Sequence, residues 1–140
     1  MADAVVFDTS AFLTLTGDEP GADTVQDFIT DALAGELDLH ASFVSLTEIE
    51  YITRQKEGEQ TAHRRLADIK ALPIHWHHSD EALCGEAAKL KAAHKISFAD
   101  AFVAATAQRL NATLVHKDPE FAALGDVIKQ HPLPPKAAKT

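Results

Sequence analysis

Short apolar runs alternate along this chain with longer stretches in which apolar residues recur at helical spacing. Ala4-Val5-Val6-Phe7 is β-branched at its centre and halts at Asp8, which predicts a buried strand ending at an acid. Gly17-Asp18-Glu19-Pro20-Gly21 reads as a loop, and Val25, Phe28, Ile29, Ala32 and Leu33 then fall on one face of an amphipathic helix. Leu37 to Ser42 alternates as a second strand. From Ser45, the spacing of Leu46, Ile49 and Ile52 predicts a helix, and residues 59–72 predict another through Leu66, Ile69 and Leu72. Pro73 to Trp76 reads as a short strand. Ser79 can cap a helix reaching about His94, and Ser97 one reaching about Leu110. Ala112 to Val115 and Val127 to Lys129 complete the strands. Such alternation implies βαβ units, a parallel sheet with helices on both faces, and a site at the carboxyl ends of the strands.

Composition narrows the class. With 140 residues, 46% hydrophobic and 24% charged, the chain suits a single domain, drawn over residues 1–130. Residues 131–140, with Pro132-Leu133-Pro134-Pro135 and a lysine-bearing end, read as a flexible tail. The single cysteine, Cys84, excludes an internal disulfide and a cysteine-based zinc framework, and reads with Trp76 as core or near-core packing. Met1-Ala2-Asp3-Ala4 carries no basic or apolar leader, and no apolar run is long enough to span a bilayer, so a cytoplasmic location without membrane contact is expected. Net charge is −8, unevenly spread: the 13 Lys and Arg all follow residue 50. Overall acidity therefore leaves room for a basic face that could meet nucleic acid.

Four acids stand where chemistry could be placed, and each has a local alternative. Asp8 follows the first strand but could form an Asx turn or helix cap. Glu48 closes Ser45-Leu46-Thr47-Glu48, which has the form of a capping box. Asp100 lies in the apolar stretch Ile96 to Ala105, where an isolated carboxylate is costly to bury without hydrogen bonds, a cation or a metal. Asp118 follows the strand Thr113-Leu114-Val115 but also precedes Pro119 as a helix cap would. Capping gives no reason for all four to converge on one sheet edge. Clustered carboxylates without a cation repel, and hard oxygen donors suit Mg²⁺ or Mn²⁺.

The segments Val5-Val6-Phe7-Asp8-Thr9-Ser10-Ala11, Ser45-Leu46-Thr47-Glu48-Ile49, Ser97-Phe98-Ala99-Asp100 through Thr106, and Leu114-Val115-His116-Lys117-Asp118-Pro119-Glu120-Phe121 occur in that order. In sequence and spacing they resemble PIN domains, and within them the VapC-like toxins of toxin–antitoxin pairs. The resemblance implies a three-layer α/β/α sandwich around a mainly parallel sheet and a metal-dependent endoribonuclease. Acids matching Asp8, Glu48, Asp100 and Asp118 would hold Mg²⁺ or Mn²⁺, with Glu48 as ligand or water-orienting base. It further implies a small antitoxin protein that blocks the pocket, and a homodimer. His116 stands where the family usually has Thr or Ser. Ser10, His116 and Glu120 are candidates for positions supporting the ligands.

Lys117 is a candidate phosphate contact, and Arg54, Lys56, Arg64 and Arg65 could hold an RNA backbone or simply form a solvated helix face. His75 and His77 would share a strand face and could bind a transition metal. With His78 they read first as exposed polar residues, since no Cys or acid at suitable spacing completes a site. Competing accounts are an RNA-processing nuclease without an antitoxin, a non-catalytic partner-binding module, and a phosphotransfer domain using Asp8. Asp8-Thr9-Ser10 lacks the second acid two residues on that haloacid-dehalogenase-like phosphatases carry.

Overall fold

A computed structural model describes residues 2–136. In chain order the elements are β1 (Asp3–Phe7), α1 (Thr9–Thr16), α2 (Ala22–Leu33), β2 (Leu37–Ser42), α3 (Phe43–Glu57), α4 (Glu59–Lys70) and β3 (Ile74–His77). α5 (Glu81–Ala93), α6 (Phe98–Leu110), β4 (Thr113–His116), a 3₁₀ helix (Pro119–Val127) and β5 (Lys129–Pro132) follow. The strands form one sheet in the order β3-β2-β1-β4-β5, and all four pairings are parallel. Helices cover both faces, giving the α/β sandwich expected from the alternation of elements. No helix among the described residues is long and apolar enough to cross a membrane.

Period-two alternation sorts the strand residues between two cores. Val5, Phe7, Leu39, Ala41 and Val115 face one layer and pack with Phe12, Val25, Ile29, Ile49 and Ile69 of α1 to α4. Val6 and Leu114 face the other, against Leu83, Leu90, Val103 and Phe121 of α5, α6 and the 3₁₀ helix. Being buried on both faces, β1 and β4 read as continuous apolar runs rather than alternating ones. β1 is central, and the chain leaves it in one direction toward β2 and β3 and returns on its other side as β4 and β5. The carboxyl ends of β1 and β4 therefore flank the point where the strand order reverses, the usual place for a site in an open parallel sheet.

Several local readings change. Residues 9–16 form α1, capped by Asp8, although their threonines and short length leave no clear periodic signal. α3 begins one turn earlier than expected because Ser42, and not Ser45, is its cap and accepts from Val44 N at 3.3 Å. The Ser45–Glu48 capping box is thus absent. Asp80 rather than Ser79 caps α5. Cys84, expected in or near the core, lies exposed on α5.

The expected loose tail from residue 131 is also corrected. His131 and Pro132 belong to β5, where they pair with Val115 and His116. Leu133 donates its N–H to His116 O and is buried in the α1–α4 core. Gly21, at φ +99°, makes room for this return: a Cβ there would meet Pro134 at 3.0 Å. Residues 137–140 of the expected tail lie outside the described residues. Leu133→Ala should therefore cost about 2–5 kcal/mol of unfolding free energy, as for a core leucine. Urea denaturation checks this, and an unchanged midpoint would restore the loose-tail reading.

Candidate functional site

Each candidate acid is delivered by the terminus of a regular element. Asp8 leaves β1 in extended conformation and caps α1, so its turn chemistry and its place at the sheet edge coexist. Its Oδ2 accepts from Ser10 N at 3.0 Å and from Ser10 Oγ, and its own N–H donates to Val115 O at 3.0 Å. Ser10 Oγ accepts in turn from the Lys117 N–H at 2.8 Å. One hydroxyl therefore ties the end of β1 to the loop after β4. Asp118 caps the 3₁₀ helix through Glu120 N, 2.9 Å from its Oδ1, with Pro119 at the first helical position.

Glu48 reaches the site from the second turn of α3. Thr9 Oγ1 donates to Glu48 Oε1 at 2.7 Å and lies 2.9 Å from Ser45 Oγ. Since a threonine hydroxyl has one proton, Ser45 is the donor in the second contact. Thr9 and Ser45 are functional candidates that the sequence reading passed over. The available signal was the spacing that had suggested a capping box: Ser45 and Glu48, three apart, share a helix face.

Asp100 sits in the first turn of α6, where Ser97 Oγ accepts from its N–H at 3.1 Å. Its carboxylate does not close a capping box. It points into the site, and Oδ2 is buried without a hydrogen-bond partner. One oxygen each of Asp100, Asp118 and Glu120 lie within 4.8 Å of one another. Glu120 thus stands in the tightest carboxylate group rather than behind it.

Charge and burial act together on these groups. Asp100 is 7% exposed, and burial pushes its pKa up to about 9, helped by the neighbouring Glu120 carboxyl group and by the charges of Asp8 and Asp118. Asp8, 4% exposed, is pushed up to about 6 by burial, against which the two Ser10 hydrogen bonds act; Glu48 and Asp118 add a smaller upward push. Among the described residues, no Lys or Arg forms an ion pair with Asp8, Glu48, Asp100, Asp118 or Glu120. Lys117, beside the pocket, has its ammonium held by Glu19 Oε1 at 3.2 Å and Pro20 O at 2.6 Å. Convergent oxygen donors with an unsatisfied buried atom and no neutralising cation fit a divalent hard ion.

His116 takes a different place from the acids. Its ring packs on Phe121 with centroids 4.8 Å apart, and Nε2 meets Gln130 Oε1 at 2.8 Å. Gln130 Nε2 also bonds Phe121 O and Gly125 O, so this network braces the 3₁₀ helix that carries Asp118 and Glu120.

A groove of about 590 Å³ adjoins the acids, lined by Ser10 and Asp118 and by Lys56, Arg65, Lys117 and Lys136. Lys56 and Arg65 are thus brought together beside the site. Arg65 is paired with Glu57, which lines the same groove, as Arg54 is with Glu50 at 2.8 Å and Glu59 at 3.6 Å, while exposed Arg64 reaches Thr61.

Fold and site together define an α/β protein with a carboxylate pocket at the switch point of a parallel sheet. The PIN-domain family profile matches residues 5–127, and the chain belongs to that family. Among solved structures, it is similar to a chain of VapBC2 from Rickettsia felis bound to a promoter DNA fragment, at 17% identity and TM-score 0.75, covering 94% of this chain and 99% of the other. VapC20 from Mycobacterium tuberculosis, described as a sarcin–ricin-loop-cleaving toxin, is 19% identical with TM-score 0.69, covering 86% and 95%. FitAcB from Neisseria gonorrhoeae shows 20% identity and TM-score 0.66, covering 90% and 95%. These likenesses show a shared fold. No curated protein sequence matches significantly.

The raised carboxylate pKa values fix the sign of a pH effect. Where the folded state keeps a proton that the unfolded chain has lost, stability falls as pH rises. Without divalent ions, thermal stability should fall from about pH 4, the ordinary carboxylate range, through about 6 for Asp8 and on toward about 9 for Asp100. Asp100→Asn should flatten the upper part of that decline, and Mn²⁺ should raise the wild-type Tm more at about pH 8 than at about pH 5. Differential scanning fluorimetry in EDTA and in Mn²⁺ checks both; parallel slopes for the two proteins would remove Asp100 as the source.

Proposed function

We propose that this chain is a metal-dependent endoribonuclease and a VapC-like toxin, restrained by a small antitoxin protein. The observation that carries this reading is the orphaned, buried Asp100 Oδ2 facing Asp118 and Glu120 at the switch point, with a groove of mixed charge, carrying Lys56, Arg65, Glu19 and Glu57, opening from the same edge. Its fold neighbours support the toxin class: several are VapBC complexes, and one is described as cleaving the sarcin–ricin loop.

Asp100, Asp118 and Glu120 would hold Mg²⁺ or Mn²⁺ together with Asp8, whose charge acts on Asp100, and Glu48 would stand at the margin of the set. When bound, such an ion supplies an activated water and neutralises charge on the phosphate. The chain's own residues do the rest. Ser10 keeps Asp8 aimed into the pocket while bracing the Lys117 loop. Thr9 fixes Glu48 Oε1, leaving the other carboxylate oxygen to orient water or accept its proton. Lys56 and Arg65 would hold the RNA backbone in the groove without reading bases. Their charges lie beside the acids, so the strand is drawn in although the catalytic edge itself repels phosphate. An antitoxin segment bearing Arg or Lys would occupy the same edge by charge complementarity, and a homodimer is the expected assembly.

Cleavage of transfer or messenger RNA by the purified, antitoxin-free protein should require Mg²⁺ or Mn²⁺ and vanish in EDTA. Asp8→Asn and Asp100→Asn should each lower the rate on the order of a hundredfold or more. Cleavage that survives in either variant at the wild-type rate would overturn the assignment. A separate measurement addresses the groove. Lys56→Ala and Arg65→Ala should each reduce the slope of log affinity against log salt by about 0.7 on single-stranded RNA, as for the loss of one phosphate contact. Fluorescence anisotropy with an inactive Asp100→Asn background reads this directly.

A further inference from the structure

The opposite flank of the sheet gathers a second set of metal-ligating side chains. His40 of β2 is the register partner of His75 on β3, and His77 lies two residues further on, so alternation puts all three on one sheet face. That face is the one carrying Val6 and Leu114, since Leu39, Ala41, Ile74 and Trp76 point into the other core. β3 is the edge strand. His40 and His77 are half-buried and His75 is exposed. His40 Nδ1 and His77 Nε2 lie 2.8 Å apart, and the His40 ring centroid is 5.1 Å from that of His75 and 4.9 Å from that of His77.

We propose that His40, His75 and His77 form a transition-metal site, selective for Zn²⁺ over Mg²⁺, that clips the short edge strand β3 to β2. Nitrogens bound at about 2.0–2.1 Å in a tetrahedral zinc site are roughly 3.3 Å apart, so His40 and His77 need separate only slightly to admit the ion. The nitrogens of His40 and His77 already meet, whereas the His75 ring, its centroid 5.1 Å from that of His40, would supply the third ligand only after rotating about its own side-chain bonds. Three neutral imidazoles with an open fourth position form a recurrent zinc environment, whereas Mg²⁺ prefers oxygen. Burial and neighbouring imidazoles push His40 and His77 below the ordinary histidine range, which leaves ring lone pairs free at neutral pH. Asp38, two residues before His40 on the same strand face, also acts electrostatically on it and can receive a ring N–H. His78 and Arg109 also approach His77, but Arg109 is neutralised by Asp80 at 3.2 Å and Glu86 at 3.4 Å. His40 lies on the strand next to β1, opposite Val6 in register, with His75 and His77 one strand further out, and the site shares no residue with the acidic pocket. Its chemistry is independent of the nuclease reading.

The test uses untagged full-length protein carrying Asp100→Asn and Asp118→Asn, so that the acidic pocket contributes little metal binding. Titration with Zn²⁺ against a chromophoric chelator should show one equivalent bound at micromolar Kd or tighter, with a rise in Tm that Mg²⁺ does not reproduce. His75→Gln, at an exposed position that folding does not depend on, should weaken binding at least tenfold, and His40→Gln/His77→Gln should abolish it. Co²⁺ in the parent protein should give the intense visible absorption of a tetrahedral nitrogen-ligated ion, lost in His75→Gln. No Zn²⁺ bound by the parent, or unchanged affinity and stoichiometry in a folded His75→Gln protein, would overturn the proposal.

Discussion

Parallel pairing brings the carboxyl ends of β1 and β4 side by side, and α6 then packs its small, wholly buried face close against them. The result is a concentration of carboxyl groups where water is scarce, and Asp100 keeps its proton well above the ordinary carboxylate range until a cation enters. Asp100 is placed by the packing of Ala101, Ala104 and Ala105 around it, not by any partner that would relieve its charge. Most of what surrounds the site either holds these acids in place or keeps cations from neutralising them. Ser10 and Thr9 spend their hydroxyls on Asp8 and Glu48, while Lys117 is turned away to Glu19 and Pro20. The buried repulsion leaves free energy available to an incoming cation, whether a metal ion or a basic side chain from a partner protein.

Caps and chemistry prove to be the same residues. Asp8 and Asp118 cap their helices with one side-chain oxygen and still present negative charge at the sheet edge, because a carboxylate has more lone pairs than one cap consumes. The local and functional readings of these acids were therefore never exclusive. Glu48 is the contrary case: its capping role fails because Ser42 starts α3 one turn earlier, and the helix face so defined delivers Glu48 to Thr9.

Most strands, most helices and the parallel architecture were legible in the chain because β1 and β4 are uninterrupted apolar runs, β2 alternates and the helices keep their periodicity, whereas β5, polar throughout, starts only at Lys129 with Val127 in the 3₁₀ helix. α1 was not, since its threonines and lack of polar alternation resemble a loop, and the Asp8 cap with tertiary contacts to α2, α3 and the sheet holds it. The terminal segment looked loose for its prolines, yet Leu133 finds a place in the core beside Gly21. A proline-rich composition lowers chain entropy without saying whether a surface awaits it.

By itself the sequence determined which acids end strands and which helix carries an acid amid apolar residues, since these depend on neighbours within a few positions. Tertiary structure alone decided which oxygens meet. It promoted Glu120 into the tightest carboxylate group, separated Lys56 and Arg65 from Arg54 and Arg64, and turned His116 toward Phe121 and Gln130. It also brought His40 beside His75 and His77 across the 34 residues between His40 and His75. The physical reason is that register between parallel strands is set by the packing of the crossover helices, so a contact across the sheet leaves no local trace in the order of the residues.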